Sequence, residues 1–307
     1  MPFSYNFFTM EGKALGILIC VGLICLSACQ QADTDTSSAT GIEASETYIE
    51  NKGSDTLVNL ALAWAEEYQI QQPDIQISVT GGGSGTGFAA LINGTIDIAN
   101  ASRDIKQEEI DSALADGFEP VEYIVANDAI AVIVNPENPI DQLTLDQVSR
   151  VFKGEVTNWQ ELGGEDRPIV KLSRETNSGT HVYFLETVVR LGSDEDKSIF
   201  SADTLLLPSS EGIIAEVSDN PNAIGYDGLG YVTEEVKMVA LATAQGDDYI
   251  LPSVASVING TYPIARHLFM YTRGEAQGIQ KDYLDWILSE SAQEIVTELG
   301  FVPVLSE

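Results

Sequence analysis

The chain has 307 residues, of which 44% are hydrophobic and 20% are charged. This composition is typical of a globular protein with one large domain or two lobes. The formal net charge is -32, which excludes nucleic acids and anionic lipid surfaces as attractive partners. The same charge repels small anions, so an anion site in this chain must depend on local dipoles and a few placed cations.

Residues 1–28 have the pattern of a signal peptide for a bacterial lipoprotein. The apolar run at 14–26 is shorter than the roughly 20 residues that a membrane-spanning helix needs, so it predicts a targeting segment. It is followed by Ser, Ala and a cysteine at position 29, which resembles the bacterial lipobox. We therefore expect cleavage before Cys29 and lipidation of its thiol.

The segment after the cleavage site predicts a flexible tether. Residues 29–47 are rich in Ser, Thr, Ala, Gln and Asp and contain no apolar pattern that could form a core. Cys20, Cys25 and Cys29 are the three cysteines of the chain. Because two of them belong to the signal peptide, we expect no disulfide and no thiol chemistry in the mature domain.

Short apolar runs alternate with amphipathic stretches after the tether, which predicts an α/β fold. The first predicted elements are a strand at 48–52, a helix at 55–70, a strand at 75–79, the start of a helix at 86–92 and a strand at 96–99.

A long, mostly apolar run at 121–134, interrupted by Asn127 and Asp128, predicts a strand that crosses between two lobes. The pattern Thr-Leu-Asp-Gln at 144–147 is a capping box, which predicts the start of a helix that ends near Gly154. The remaining predicted elements are a second crossing at 254–258 and 265–271 and a last helix at 283–299.

A strand, a turn of Gly, Ser and Thr, and the start of a helix follow one another repeatedly. Helix N-termini expose unpaired N–H groups and carry about half a positive charge, and glycine lets a ligand approach the backbone. One such serine or threonine is most often a helix cap. Several that converge would form an oxyanion site without net positive charge. The pattern occurs at 53–56, 81–86, 101–103 and 177–180.

Arg174 precedes the last of these turns and could bind an oxyanion through two parallel hydrogen bonds. The alternative is a surface ion pair, since Glu175 is adjacent. Arg174 together with Thr-Asn-Ser-Gly-Thr at 176–180 resembles the phosphate loop of the PstS-type bacterial phosphate-binding proteins. Further segments that are similar to this family lie at 81–87, 97–103, 135–139, 143–144, 151–154, 157–159, 222–226 and 298–303.

The resemblance implies a two-lobed periplasmic-binding-protein fold of type II, with crossing hinge strands and phosphate held between the lobes. One lobe would comprise 48–127 with 260–307, and the other 128–259. The implied function is capture of inorganic phosphate outside the cytoplasmic membrane and its delivery to the permease and ATPase of an ABC-type importer. Such a protein would be a monomer without enzymatic activity, cofactor or metal.

The family's phosphate ligands can be carried over by position. In the first lobe, hydroxyl groups and one backbone N–H would bind the anion, and in the second lobe the loop that follows the arginine would do so. The implied ligands are Thr56, Leu57 through its N–H, Ser84, Arg174, Ser178, Gly179 through its N–H, and Thr180.

The chain departs from the family at one ligand position. In the best-known members an aspartate accepts the proton of hydrogen phosphate and so rejects sulfate, which has no proton to donate. Here that position is Ser102, followed by Arg103, and we expect both to belong to the site. The acceptor must then be another group, and Asp128 is the candidate ahead of Asp55 and Asp104. The alternative is that all three aspartates are helix caps or solvated charges.

Other classes of function have weaker support in the sequence. Residues 85–90 fit a dinucleotide-binding pattern, but they belong to the second strand–helix unit. A serine hydrolase needs a nucleophile elbow and a histidine partner, and His181 and His267, the only histidines, are expected to be packed or surface residues. Sulfate, molybdate or arsenate as the ligand, and a non-transport surface or sensory module on the same fold, remain open alternatives.

Overall fold

The computed structural model of the protein describes residues 47–193 and 195–304. The predicted signal peptide, the predicted lipidation site Cys29 and the tether as far as residue 46 lie outside this part of the chain. Within it, no helix combines the length and the apolar character that crossing a bilayer requires.

Strands and helices alternate along most of the described chain. The strands are β1 Tyr48–Gly53, β2 Gln76–Thr80, β3 Ile98–Ala101, β4 Pro120–Val134, β5 Gln142–Thr144, β6 Val170–Arg174, β7 Leu205–Leu207, β8 Ala223–Gly228, β9 Lys237–Met238, β10 Ala240–Ala242 and β11 Ala265–Arg273. The helices are α1 Asp55–Gln71, α2 Ser84–Ile92, α3 Gln107–Ala115, α4 Leu145–Phe152, α5 Gly179–Phe184, α6 Ser210–Asp219, α7 Val254–Ile258, α8 Gly278–Ile287 and α9 Glu290–Glu298.

One large sheet has the order β2-β1-β3-β11-β4-β8-β6-β7, and β9 pairs with the end of β4. The strands β2, β1 and β3 are parallel and form the first group. The strands β8, β6 and β7 are also parallel and form the second group. Between the groups, β11 and β4 form an antiparallel pair. The predicted α/β class and the predicted crossing strands are thus confirmed.

Ligand sites in open α/β sheets lie beyond the carboxyl ends of the parallel strands. In the first group, β1 and β3 end immediately before Ser54 and Ser102. In the second group, Arg174 is the last residue of β6 and Gly228 is the last residue of β8. The turns predicted from the sequence therefore lie where this fold places ligands.

Local capping explains where α4 begins. The Thr144 hydroxyl oxygen accepts a hydrogen bond from the Gln147 backbone N–H at 3.2 Å. The Gln147 side-chain oxygen accepts one from the Thr144 N–H at 2.8 Å. Both donors would be unpaired at a bare helix end, so the predicted capping box is confirmed.

Two predicted elements differ in the structure. Residues 254–258 form the helix α7 and not a strand, because Ser253 caps the segment by accepting from the Ser256 N–H at 3.0 Å. The predicted last helix is two helices, α8 and α9, because Ser289 adopts an extended conformation and caps the second one. Asp128 lies inside β4, within the crossing strand predicted at 121–134.

The largest hydrophobic cluster extends across the sheet. It includes Ile49 and Trp64 from the first group and its helices, Ile133 from β4, and Leu172 and Val217 from the second group and its helices. A second cluster draws its buried members from residues 129–264, which overlap most of the predicted second lobe, whereas the first cluster contains residues from both sides of the predicted boundary. The lobe boundaries given above therefore stay a prediction.

Candidate oxyanion-binding site

Five buried hydroxyl side chains lie together beyond the carboxyl ends of both groups of strands. The Ser54 Oγ donates to the Ser102 Oγ at 2.9 Å, and the Ser84 Oγ is 3.3 Å from the same oxygen. The Thr56 Oγ1 is 2.8 Å from the Thr180 Oγ1, although these residues are 124 positions apart. We call these five residues the hydroxyl cluster. It joins the beginnings of α1, α2 and α5 with the residue that follows β3, so residues of all four predicted turns come together.

Gly179 brings the second group against the hydroxyl cluster. A Cβ atom at this position would lie 2.4 Å from the Ser84 Oγ and 2.4 Å from the Ser102 Oγ, closer than real Cβ atoms approach other atoms. Only glycine permits this approach of the backbone. The N–H of Gly179, predicted to bind phosphate, belongs to the first turn of α5, where helix N–H groups have no partner within the helix.

Arg266 on β11 is the residue that the sequence reasoning missed. Its Nη2 donates to the Thr180 Oγ1 at 2.9 Å and to the Thr56 Oγ1 at 3.3 Å. Its Nη1 donates to the Ser102 carbonyl oxygen at 2.8 Å. A buried guanidinium therefore contacts both sides of the hydroxyl cluster. The available signal was an arginine within an otherwise apolar predicted strand, since arginine is rarely buried without a partner.

Asp128 is the partner of Arg266. Its Oδ2 accepts from the Arg266 Nη2 at 3.0 Å, and its Oδ1 accepts from the Leu229 N–H at 3.1 Å. Complete burial raises the pKa of Asp128 to about 6, against the opposing charge of Arg266. Asp128, the predicted proton acceptor, thus shares the Arg266 guanidinium with Thr56 and Thr180.

Arg174 is buried and connects the two groups of strands. Its Nη2 donates to the Asp55 Oδ2 at 2.7 Å and to the Pro208 carbonyl oxygen at 2.9 Å, and its Nη1 donates to the Ser210 Oγ at 2.8 Å. Its Nε has no hydrogen-bond partner in the described part of the chain. The alternative of a surface ion pair with Glu175 does not describe this side chain, which is 1% exposed.

Comparison with known proteins identifies the family of this fold and site. Residues 34–291 match the model of the PBP superfamily domain. The chain is 32% identical to the phosphate-binding protein PstS of Pseudomonas aeruginosa over 91% of this chain and 89% of the relative. It is 33% identical to the phosphate-binding protein PstS of Bacillus subtilis, over 92% of this chain and 90% of the relative.

The chain belongs to the PstS family of phosphate-binding proteins. A solved structure of a Clostridium perfringens protein, described as a phosphate ABC transporter substrate-binding protein with bound phosphate, matches with a TM-score of 0.74. It is 32% identical, and the match covers 84% of this chain and all of the other chain. The predicted family and the predicted two-lobed fold are both confirmed.

Three other groups that the family resemblance predicts as phosphate ligands form hydrogen bonds within this PstS-family chain. Arg103 donates to both carboxylate oxygens of Glu109, at 2.8 and 2.7 Å, and its guanidinium carbon lies 4.9 Å from the centre of the Phe88 ring. The Leu57 N–H donates to the Ser54 carbonyl oxygen at 3.1 Å. The Ser178 Oγ caps α5 by accepting from the His181 N–H at 3.5 Å. Of these three groups, the Leu57 N–H bonds to a residue of the hydroxyl cluster, through the Ser54 carbonyl oxygen and not through its hydroxyl.

The remaining candidate site residues are two aspartates and two histidines, and they differ in burial. Asp55 is bonded to Arg174, whereas Asp104 is exposed. His181 is buried, and its Nδ1 is 2.9 Å from the Arg174 carbonyl oxygen, which fits a packed residue. His267 is exposed beside Asn127. The two histidines therefore have the packed and surface positions that the sequence reasoning expected.

Proposed function

We propose that this protein captures inorganic phosphate outside the cytoplasmic membrane and delivers it to an ABC-type phosphate importer. One observation carries the proposal: hydroxyl donors from both groups of strands converge on Arg266, and Arg174 bonds to Asp55 beside them, in a protein whose net charge is -32. Neutral donors and helix N-termini can bind an oxyanion where overall electrostatics would repel it. The relatives from P. aeruginosa and B. subtilis carry the name of phosphate-binding proteins.

Each ligand has a chemical role in this proposal. Thr56, Ser84 and Thr180 donate their hydroxyl protons to phosphate oxygens, and Gly179 donates its N–H. Arg174 supplies its Nε, a buried donor without a partner among the described residues. An unpaired buried donor is costly, and an anion oxygen would satisfy it. Leu57, Ser102, Arg103 and Ser178 remain in the proposed site as residues of the same turns.

Phosphate would stabilise contact between the two groups because its ligands come from both. The turn after β2 already contacts the loop before α5. The Gly85 N–H donates to the Asn177 carbonyl oxygen at 3.1 Å, and the Asn177 side-chain amide donates to the Gly82 carbonyl oxygen at 2.8 Å. The Thr56–Thr180 contact would be exchanged for contacts with the anion.

Titration calorimetry with ligand-free protein at neutral pH tests the proposal. We expect phosphate to bind with a dissociation constant of about 1 μM or lower and sulfate to bind at least about 100-fold more weakly. Arsenate and molybdate in the same series address the other tetrahedral oxyanions. A folded protein that releases no heat with phosphate would refute the proposed function, and preference for sulfate would favour the alternative ligand class.

The membrane anchor is a further part of the proposal and rests on the sequence around Cys29. Lipidation at this residue would hold the domain at the outer face of the membrane through the tether, where a monomer could reach the importer. We expect a labelled fatty acid to be incorporated into the full-length protein in bacteria. The Cys29→Ala variant should lose the label and appear in the soluble fraction, and a variant that keeps the label would contradict this assignment.

A further inference from the structure

Asp227, near the end of β8, has a buried carboxylate oxygen that accepts no hydrogen bond from the described residues. Its side chain is fully buried. The Oδ1 accepts from the Ser210 Oγ at 3.0 Å and from the Gly228 N–H at 2.8 Å. The Oδ2 has no hydrogen-bond donor in the part of the chain that the structure describes. A buried acceptor without a donor is costly and requires an explanation.

The position of Asp227 places this oxygen at the proposed site. The strands β6 and β8 are parallel neighbours, so their carboxyl ends lie at the same edge of the sheet. Arg174 is the last residue of β6, and its Nη1 is 3.8 Å from the Asp227 Oδ2. The Nε of Arg174 also has no partner among the described residues. An unpaired acceptor and an unpaired donor thus occupy two adjacent side chains.

The other carboxylates of the site are already bonded through both oxygens. The Asp55 Oδ1 accepts from the Gly82 N–H at 2.8 Å, and its Oδ2 accepts from Arg174. The Asp128 Oδ1 accepts from Leu229, and its Oδ2 accepts from Arg266. Asp104 is exposed, so water can solvate it. Among these described aspartates, Asp227 alone keeps a buried oxygen available for a new donor.

We propose that Asp227 accepts the proton of bound hydrogen phosphate and thereby discriminates against sulfate. This role rests on the proposed function, because it requires phosphate at the Nε of Arg174. The hydrogen bond runs from the phosphate O–H to the Asp227 Oδ2. Sulfate at neutral pH has no proton and would place an oxygen lone pair against the carboxylate. Asp227 would then do what the aspartate replaced by Ser102 does in the best-known members of the family.

The electrostatic surroundings suit an acceptor. Burial raises the pKa of Asp227, and the charge of Arg174 acts in the opposite direction. A more basic carboxylate is a better hydrogen-bond acceptor, while the adjacent guanidinium favours its ionised form. The hydroxyl group of Ser210 is held by both side chains, since it accepts from the Arg174 Nη1 and donates to the Asp227 Oδ1.

Calorimetry with phosphate, sulfate and fluorophosphate tests this role, since fluorophosphate is a dianion of similar shape without an acidic proton. The wild type should prefer phosphate over both other anions by at least about 100-fold. In Asp227→Asn, phosphate should bind about 10- to 100-fold more weakly and sulfate no more weakly than before, so the ratio falls at least about tenfold. Asp248→Asn, at an exposed position, makes the same change of net charge and should leave the ratio unchanged.

The outcomes separate the two proposals. A wild type that binds no phosphate overturns the proposed function together with the role that rests on it. A wild type that binds phosphate, with an unchanged phosphate-to-sulfate ratio in folded Asp227→Asn, overturns only the role of Asp227. If the amide variant does not fold, Asp227→Ser provides the same comparison. Equal affinity of the wild type for phosphate and fluorophosphate overturns the role without any variant.

Discussion

Replacing Arg174 by alanine should weaken phosphate binding by at least about 100-fold, which corresponds to about 2.8 kcal/mol. The guanidinium is the buried cation that bridges Asp55 in the first group and Asp227 in the second. Its loss removes a charge-assisted contact with the anion and leaves both carboxylates without their cation, an effect that typically costs about 2–5 kcal/mol. Titration calorimetry on the purified variant measures the change.

Two further variants make the result specific to Arg174. Arg174→Lys keeps the charge but cannot reach Asp55, Ser210 and the anion together, so it should recover only part of the affinity. Arg150→Ala removes a half-exposed arginine that pairs with Glu155, and it should bind phosphate like the wild type. Near-normal affinity in folded Arg174→Ala would show that this arginine is not a phosphate ligand.

Arg266→Met should lower the free energy of unfolding of the ligand-free protein by about 3–5 kcal/mol. The reason is that Asp128 is fully buried and has Arg266 as its cation, so the variant leaves a buried charge uncompensated. The same variant should weaken phosphate binding, because Arg266 contacts Thr56, Thr180 and the Ser102 carbonyl. Urea-induced unfolding without phosphate measures the first effect separately from the second.

The double variant Asp128→Asn with Arg266→Met distinguishes stability from binding. Removing both charges eliminates the uncompensated carboxylate, so most of the lost stability should return while affinity stays low. Arg273→Met is the matched control, since Arg273 lies on the same strand and pairs with the exposed Asp116. The assigned pairing is untenable if Arg266→Met and Arg273→Met have the same unfolding free energy.

The residues of the proposed site that were predicted from the sequence lie in short local sequence patterns. A glycine-rich or hydroxyl-rich turn before a helix can be recognised from a few adjacent residues, and the turns that contain Ser84, Gly179 and Thr180 were recognised in this way, whereas their ligand roles came from the family resemblance. Arg266 was not found because its significance depends on Asp128, which is 138 positions away. Pairing over such a distance leaves no local pattern, and a single arginine in a strand could equally have faced solvent.

The errors in secondary structure have a local origin. A five-residue apolar run such as 254–258 fits both a buried strand and a short helix, and its capping serine decides between them. The break between α8 and α9 is also set by one serine, which interrupts a continuous apolar periodicity. Arg103 stays a predicted ligand, because Glu109 holds its two terminal nitrogens while its Nε has no partner among the described residues.

Asp128 and Arg266 are direct cross-strand neighbours on β4 and β11. These two strands connect the parallel groups, so the connection between the groups and part of the proposed binding site lie on the same strands. This has a practical consequence for building a phosphate sensor from this chain. A fluorophore or an inserted domain attached next to Asp128 or Arg266 would disturb their ion pair, so labels belong on the outer faces of the helices.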